Sequence, residues 1–292
     1  MKFQKPLTWL IMPIIILSLF AAGMGLFYQS PGQPMAYKTL RGEQVTINRQ
    51  GLYWFDTVSM AAQMQGNDVI TLTVGLPLLI ISTILAFRGS LRGRLLLTGT
   101  LGFFLYTYMS MSMLTAYNNL FLVYVCLFGM CLYAFILSML SFDLADLPAH
   151  FSPNLPGKTM AGLMFLVGAF LTLAWLGRIL PPLLQNSTPA LENTTTLVIQ
   201  AMDLVLIVPL AVLSGILLLK RSAWGYLLGS VFILKSITMG LGVSAMGINM
   251  ALKGVPDSLG ILVPFLTITM VNIWLAVVLL KCIDARPSTT GS

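Results

Sequence analysis

Eight apolar runs divide this chain, and each is close to the roughly 20 residues that a helix needs to cross the hydrocarbon core of a bilayer. The runs lie at about 7–27, 68–87, 95–114, 120–142, 160–180, 197–219, 223–247 and 259–281. Only 9% of the residues are charged, whereas soluble domains carry roughly 25%. The sequence therefore predicts an all-α, polytopic transmembrane helix bundle of about eight spans.

The first run also resembles a signal peptide, because two lysines precede it and small residues follow it. A signal-peptide core is about 7–15 residues long, whereas the apolar residues here continue from Leu7 to Phe27. We therefore interpret this run as a retained first helix.

Lysine and arginine residues near the ends of the runs indicate how the bundle is oriented in the membrane. With the N-terminus inside, the cytoplasmic side carries Lys2, Lys5, Arg88, Arg92, Arg94, Lys158, Lys220, Arg221, Lys281 and Arg286. The outer side carries Lys38, Arg41, Arg49 and Lys253. This bias predicts a multi-pass protein of the plasma (inner) membrane with both termini in the cytoplasm. It also accounts for the net charge of +7, so no nucleic-acid partner is predicted.

Two of the runs share a pattern that suggests a duplication. Each begins with a Gln and an Asp and then reaches a proline, namely Gln65, Asp68 and Pro77 in one run and Gln200, Asp203 and Pro209 in the other. A basic turn follows eleven residues after each proline. We therefore predict a parallel repeat of two four-helix halves, residues 1–142 and 160–292, joined by a cytoplasmic linker at 143–159.

Residues 28–67 form the longest predicted outer loop. In "VTINRQGLYW", the alternating apolar residues around Asn-Arg-Gln-Gly predict a short hairpin. The stretch "DTVSMAAQMQG" predicts a short helix capped by Asp56 or Thr57. We expect this small extracytoplasmic cap to pack on the outer mouth of the bundle, and residues 28–67 as a whole are the candidate surface for a protein partner.

Charged residues inside the bilayer are the main functional lead, because Lys, Arg or Asp costs about 2.5–3.5 kcal/mol at a helix centre. Lys235 lies about thirteen residues from the cytoplasmic start of its run, roughly 20 Å up the helix. This is too deep for the side chain to reach the inner surface. The candidate ligand-binding residues, all expected in the outer half, are Lys235, Asp203, Asp68, Arg178, Gln200 and Gln65, with Asn272, Tyr106 and Tyr108 as further members of a polar cavity.

The same residues have structural interpretations. Lys235 and Asp203 can form an ion pair between adjacent helices, and for Lys235 this interpretation weighs as much as a functional one. For Asp68 and Asp203 we favour a role as helix N-terminal caps. Pro77 and Pro209 can kink their helices.

The sequence lacks the residue sets of several membrane enzymes. The only histidine, His150, falls in the predicted linker, which argues against a serine protease with a histidine base in the membrane and against a haem held by two histidines. No HExxH motif and no CxxC motif is present. We therefore predict no catalytic residues, no metal and no cofactor.

The stretch from Gly66 through "TLTVGLPLLIIS", "RGSLRGRLLLTGTLGFFLYTY" and "YNNLFLVYVCLFGMCLYAF" resembles a group of uncharacterised bacterial multi-pass inner-membrane proteins. The resemblance covers about a third of the chain and implies no activity. Two hypotheses about function remain, with a narrow preference for the first. One is a transporter of small anionic solutes or ions, with an outward-facing polar cavity near Lys235. The alternative is a non-catalytic membrane scaffold or sensor whose residues 28–67 bind a partner.

Overall fold

The computed structural model describes residues 2–256, 260 and 262–283. Seven of its helical segments are long and apolar enough to cross a membrane. These are Gln4–Phe27 (α1), Val58–Phe87 (α2 to α3), Phe121–Leu140 (α5), Gly157–Leu184 (α6), Val198–Leu219 (α7 to α8), Ala223–Leu252 (α9) and Leu262–Lys281 (α10). The large apolar side chains that these helices leave exposed, such as Trp9 at 81% and Leu173 at 73%, suit a lipid environment. The prediction of an all-α, multi-pass membrane protein is confirmed.

An eighth long helix, α4 (Leu91–Leu114), lies in the interior of the bundle and packs against α3, α5 and α9. Helix α9 is its counterpart in position, because α9 packs against α2, α4, α8 and α10. Glycine lets these two central helices approach closely. A Cβ atom added at Gly99 of α4 would lie 2.7 Å from Leu234 Cβ of α9, so a larger residue at this position would push the two helices apart.

Two of the spans contain a five-residue π-helical segment at matching positions. The first, π1 (Thr71–Gly75), joins α2 (Val58–Ile70) to α3 (Leu76–Phe87). The second, π2 (Asp203–Ile207), joins α7 (Val198–Met202) to α8 (Val208–Leu219). A proline, Pro77 or Pro209, is the second residue of the helix that follows. Since proline has no N–H to donate to the carbonyl four residues back, it favours such an interruption.

The turns after these spans also match. Ser90 caps α4 by accepting a hydrogen bond from the Gly93 N–H, and Ser222 caps α9 by accepting one from the Gly225 N–H. Both glycines contact the backbone of the preceding helix closely. A Cβ atom would lie 2.6 Å from the Ala86 nitrogen at Gly93 and 2.2 Å from the Leu217 oxygen at Gly225. Each turn therefore depends on a glycine for its tight fit.

A two-stranded antiparallel hairpin lies between α1 and α2, with strands Met35–Lys38 (β1) and Gln44–Ile47 (β2). The predicted hairpin in "VTINRQGLYW" is therefore only partly right. Its first residues form β2, which pairs with the chain before it, while Asn-Arg-Gln-Gly forms a loop. The Arg49 N–H closes that loop with a hydrogen bond to the Trp54 oxygen.

The start of the second span corrects the sequence analysis. Thr57 is the N-cap of α2, and its side chain accepts a hydrogen bond from the Met60 N–H. The predicted short helix is not separate, because α2 continues through π1 into α3 and the span begins at Val58 rather than near residue 68. Asp68 therefore lies deep inside the helix. Its interpretation as an N-cap is wrong.

We call the end of the bundle that carries the strands the hairpin end, and the end that carries residues 141–156 the linker end. At the linker end, a short 3-10 helix spans Leu147–His150. Phe151 forms a bridge with Ile283, and the Ser152 N–H donates to the Cys282 oxygen. The chain between α5 and α6 is thereby attached to the end of α10. Residues 284–292, which include Arg286 of the predicted cytoplasmic side, lie outside the described residues.

Candidate functional site

A cavity of about 270 Å³ lies between α2, α4, α6, π2, α9 and α10. Aromatic, methionine and aliphatic side chains make up most of its wall. Polar groups enter it as well, chiefly Lys235, Asp203, Tyr106, Trp175, Asn67 and Asn272. Sites for drug-sized ligands measure roughly 300–1,000 Å³, so this cavity suits a small molecule or one end of a larger one.

Lys235 extends into this cavity from near the middle of α9, as the thirteenth residue of a 30-residue helix. Its Nζ atom lies 4.6 Å from the centroid of the Tyr106 ring, within range of a cation–π interaction. The methylene stem passes Gly102 of α4, where an added Cβ would lie 3.6 Å from Lys235 Cδ. Within the described part of the chain, no carboxylate comes within 4.0 Å of Nζ.

Asp203, the first residue of π2, lies in the same cavity wall and is held by two aromatic donors. The Tyr106 hydroxyl donates to Oδ1 at 2.6 Å, and the Trp175 indole N–H donates to Oδ2 at 2.9 Å. Tyr106 therefore lies between Asp203 and Lys235. Its hydroxyl donates to the Asp203 carboxylate, and the face of its ring contacts the Lys235 ammonium group. The predicted direct ion pair between Lys235 and Asp203 is not formed.

Asp203 is not a helix cap either, since α7 begins five residues before it and continues directly into π2. Its carboxylate accepts from side chains of α4 and α6, not from the backbone of its own helix. Three helical segments are thereby joined at one carboxylate. This arrangement fixes the carboxylate at the cavity wall.

Asp68 belongs to a different buried cluster, on another side of α2. It is 2% exposed, and its Oδ2 atom accepts a hydrogen bond of 2.6 Å from the Tyr53 hydroxyl. The same oxygen faces Gly25 of α1, where an added Cβ atom would lie only 2.0 Å away. Asn67, the neighbouring residue, lines the cavity instead.

The three other ligand-binding candidates do not line the cavity, and neither does Tyr108, which packs in the core of the first half instead. Arg178 donates to the backbone oxygen of Ala190 at 2.6 Å and so attaches the loop after α6. Gln65 lies near Asn249, and its Oε1 atom is 3.5 Å from the Asn249 Nδ2 atom. Gln200 is buried in α7. Of the six candidates, the structure brings together Lys235 and Asp203.

Comparisons of the chain with models of protein families, with curated proteins and with solved structures found no match. The functional argument therefore rests on the geometry of the cavity. Among the described residues, no group of three or more His, Cys, Asp and Glu side chains is placed to hold a metal ion.

Two cavity residues escaped the sequence analysis. Trp175 lies one helical turn before Arg178, and an indole in an apolar helix is a weak signal on its own. Asn67 lies between Gln65 and Asp68, the two residues that the sequence analysis took as candidates. Asn67 and Asp68 differ only in which side of α2 they lie on. The predicted span began ten residues too late to show which side of the helix faces the cavity.

A second polar cluster ties the hairpin to the loop between α6 and α7. The Glu43 carboxylate accepts hydrogen bonds from the N–H groups of Leu191 and Glu192, at 3.0 and 2.8 Å. Arg41 donates to the Thr194 oxygen at 2.7 Å. The Thr57 hydroxyl also donates to the Glu192 carboxylate. We call these contacts the loop clasp.

Asp56 lies next to the loop clasp, outside the membrane-spanning helices. It is 2% exposed. Its Oδ1 atom accepts from the Ala116 N–H at 2.9 Å, while Oδ2 is buried with no hydrogen-bond partner among the described residues. Burial raises the pKa of this carboxyl to about 7, opposed by the Ala116 N–H and reinforced by the charge of Glu192. Asp56 is therefore a titratable group near neutral pH.

Proposed function

We propose that the protein binds a small anionic solute at Lys235 and carries it across the membrane. The observation that carries the proposal is a lysine inside a membrane-embedded cavity with no carboxylate in contact with it in the described part of the chain. A charge at the centre of a membrane helix costs about 2.5–3.5 kcal/mol or more, and such residues mark solute pathways. A bound anion would supply the counter-charge that the Tyr106 ring supplies only in part.

Unpaired polar atoms in the wall support a ligand. The Thr107 hydroxyl and the Asn272 side-chain oxygen are both buried without a hydrogen-bond partner among the described residues, and both residues line the cavity. A buried polar group without a partner costs about 1–3 kcal/mol. A solute with an O–H group, such as protonated phosphate, would remove that cost by donating to the Asn272 oxygen and bonding the Thr107 hydroxyl once these side chains turn toward the cavity.

We also propose that the chain is a parallel repeat whose halves move against each other around this site. Five matching features support the repeat: the two π segments, the two prolines, the two serine caps, the two tight glycines and the two central helices. The spacing is 132 residues throughout, as from 71 to 203 and from 90 to 222. The cavity takes Tyr106 from one half and Lys235 from the other, as expected for a site between repeats.

The lysine and arginine bias places the linker end in the cytoplasm and the hairpin end outside in this proposal. The basic residues of the short turns, such as Arg88 and Lys220, then face the cytoplasm. The loop clasp would form the outer cover of the bundle.

Thermal unfolding of the purified chain in one detergent at neutral pH tests the proposal. Acetate and inorganic phosphate are the anion probes, and Lys235→Met is the variant. We expect at least one of these anions to raise the Tm of the wild type and not that of Lys235→Met. Lys253→Met, at the exposed C-terminal end of the same helix, is the matched control and should respond like the wild type.

The Tm without anions is also informative. Removing one partner of a buried ion pair costs about 3–5 kcal/mol, but Lys235 has no such partner among the described residues. Lys235→Met should therefore have a Tm equal to or above that of the wild type. A large drop would show that the lysine is structural, and equal anion stabilisation in both proteins would refute the site. Flux of the stabilising anion into liposomes then tests transport itself.

The scaffold or sensor hypothesis is favoured by one observation. Leu40, at the tip of the hairpin, is fully exposed, and Tyr37 and Phe55 beside it are also exposed. The cavity at Lys235 argues against it, because a scaffold has no need of one. A chain in which Leu40 and Tyr37 are changed to serine would keep anion flux under the transport proposal.

A further inference from the structure

We infer that the anionic group bound at Lys235 is the headgroup of a membrane-borne amphiphile, which reaches the cavity from the bilayer between α6 and α10. The inference rests on the proposed anion site and names the class of its ligand: one anionic group, carboxylate or phosphate, on an acyl chain.

The first support is the loose packing of α6. Its buried residues are Met160, Ala161, Leu163, Met164 and Gly168, all in the half of the helix nearest the linker end. From residue 169 to 184, no residue of the helix is buried. Helix α6 packs against α8, so the side of α6 that faces α10 is left without close helix packing over this half.

The second support is the position of two aromatic rings. Phe170 of α6 and Phe265 of α10 meet edge to face, with ring centroids 5.7 Å apart. Both rings also line the cavity. At this point, the barrier between cavity and bilayer is formed by two side chains, which can change rotamer far faster than helices can separate.

The chemistry on either side of these rings differs sharply. Outside, α6 and α10 present Leu173, Val263 and Met270, which are exposed by 66% or more. Inside, Lys235 and the Trp175–Asp203 pair lie in the same cavity. A ligand that spans the two rings must therefore be apolar at one end and anionic at the other.

The size of the cavity sets the shape of the ligand. At about 270 Å³, it holds the equivalent of roughly nine water molecules. That volume accommodates a headgroup and the first part of one chain, whereas a whole two-chain lipid does not fit. The remaining chain would lie between α6 and α10 in the bilayer, where burial of each methylene gains about 0.8 kcal/mol.

Trp175 provides a reporter inside the cavity. The full chain is prepared with Trp9, Trp54, Trp224 and Trp274 changed to phenylalanine, reconstituted in liposomes and titrated with stearate brominated next to its carboxyl group, a contact quencher of indole fluorescence. We expect saturable quenching of Trp175. Lys235→Met in this background should raise the half-saturating concentration at least tenfold, while Lys253→Met should leave it unchanged. Brominated methyl stearate, which lacks the charge, should not give the saturable component.

Equal quenching with and without Lys235, or quenching that only follows the bulk concentration of brominated chain, would overturn the inference. The variant that retains only Trp175 can fail to fold. In that case, the melting temperature of the wild type in lipid nanodiscs is measured in the presence of stearate and in the presence of methyl stearate. Stabilisation by the acid alone, lost in Lys235→Met, would support the inference. Stabilisation by both or by neither would refute it.

The outcomes for the amphiphile and for the anion site are distinguishable. If acetate or phosphate stabilises the protein through Lys235 while the brominated acid does not quench Trp175, the anion site stands and the lateral route is wrong. If no probe depends on Lys235, both are wrong. Quenching that depends on Lys235 without measurable flux would retain the amphiphile site and reject transport.

Discussion

Helices α1 and α6 would hold the same place in the proposed repeat, but they are packed very differently. Buried residues recur along the whole of α1, from Leu7 to Gly25, where the helix contacts α2, α3 and α5. In α6 they stop at Gly168. The first half is thus closely packed around Asp68 and Tyr53, whereas α6 is loosely packed beside the cavity. In the proposed transporter, the first half would therefore be the more rigid one, and the site between the halves would open on the side of the second.

The largest expected effect comes from filling the tight position on α1. A Cβ atom at Gly25 would lie 2.0 Å from Asp68 Oδ2 and 2.8 Å from the Tyr53 hydroxyl. Gly25→Ala should therefore lower stability by about 3–5 kcal/mol, because a buried carboxylate and its donor must shift. Unfolding in detergent, followed by intrinsic fluorescence, measures this.

Gly177→Ala is the matched change on α6, where nothing lies within 4 Å of the added atom. It should be neutral or slightly stabilising, since alanine is the better helix former. Equal losses at both positions would contradict the contrast between the two helices.

The next effect concerns Asp56 and depends on pH. The folded-state pKa of about 7 lies above the ordinary aspartate value of 3.8. At pH values between the two, the folded chain therefore holds a proton that the unfolded chain releases. The stability contributed by protonated Asp56 is fully present below about pH 4 and is lost as pH rises through about 7. Asp56→Asn cannot lose a proton, and it should be more stable than the wild type at pH 8 by at most about 4 kcal/mol.

Unfolding of the wild type and of Asp56→Asn from pH 4 to 8 checks this expectation. The charged neighbour to control is Glu192, which faces Asp56 across the loop clasp, so Glu192→Gln should reduce the difference between the two proteins. A gap that is constant with pH would show that Asp56 does not titrate in this range.

A smaller effect separates the two buried Asp–Tyr pairs. Among the described residues, Asp68 has one side-chain donor, Tyr53, whereas Asp203 has two, Tyr106 and Trp175. Tyr53→Phe leaves a buried carboxyl without its donor and should cost about 1–3 kcal/mol. Tyr106→Phe leaves the indole in place and should cost less, while altering anion binding. Thermal unfolding and the anion titration together distinguish the two roles.

The smallest effect is local. Arg41→Gln removes the hydrogen bond to the Thr194 oxygen at an exposed site, so global stability should change by less than about 1 kcal/mol. Hydrogen exchange in residues 186–195 should nevertheless become faster, because the loop of the open half would lose one of its attachments to the hairpin. Lys38→Gln is the control, because the Lys38 side chain makes no hydrogen bond or ion pair in the described part of the chain. Unchanged exchange would show that the loop orders itself.

The sequence predicted the fold class because hydrophobic length is a direct property of the chain. Seven apolar helices follow from this property. The eighth long helix, α4, is less apolar than these seven because it carries polar residues into the interior of the bundle. The start of the second span was wrong because "DTVSMAAQMQG" is too polar to suggest a membrane helix. In the structure, that stretch is covered by Tyr53 and α9, which supply the burial that its composition does not.

The site was predictable only in part. Lys235 and Asp203 were found because a charge in an apolar run is costly and therefore conspicuous. Asp68 carries the same signal but lies on another side of its helix. It is nine residues before Pro77, whereas Asp203 is six residues before Pro209, so the 132-residue spacing matches Asp203 with Thr71 and not with Asp68. The π segments were not predicted either, because the hydrophobic periodicity of a sequence does not show where a helix contains one wider turn.

A π segment contains one residue more than the helical turn that it replaces. Removing a residue elsewhere in a membrane helix rotates everything beyond it by about 100° and re-aims every side chain. Within Thr71–Gly75 or Asp203–Ile207, the same deletion would restore a plain α-helix and leave the faces on either side where they were. These two places are where the chain can change length by one residue without rebuilding its interior, and one of them begins at the carboxylate beside the cavity lysine.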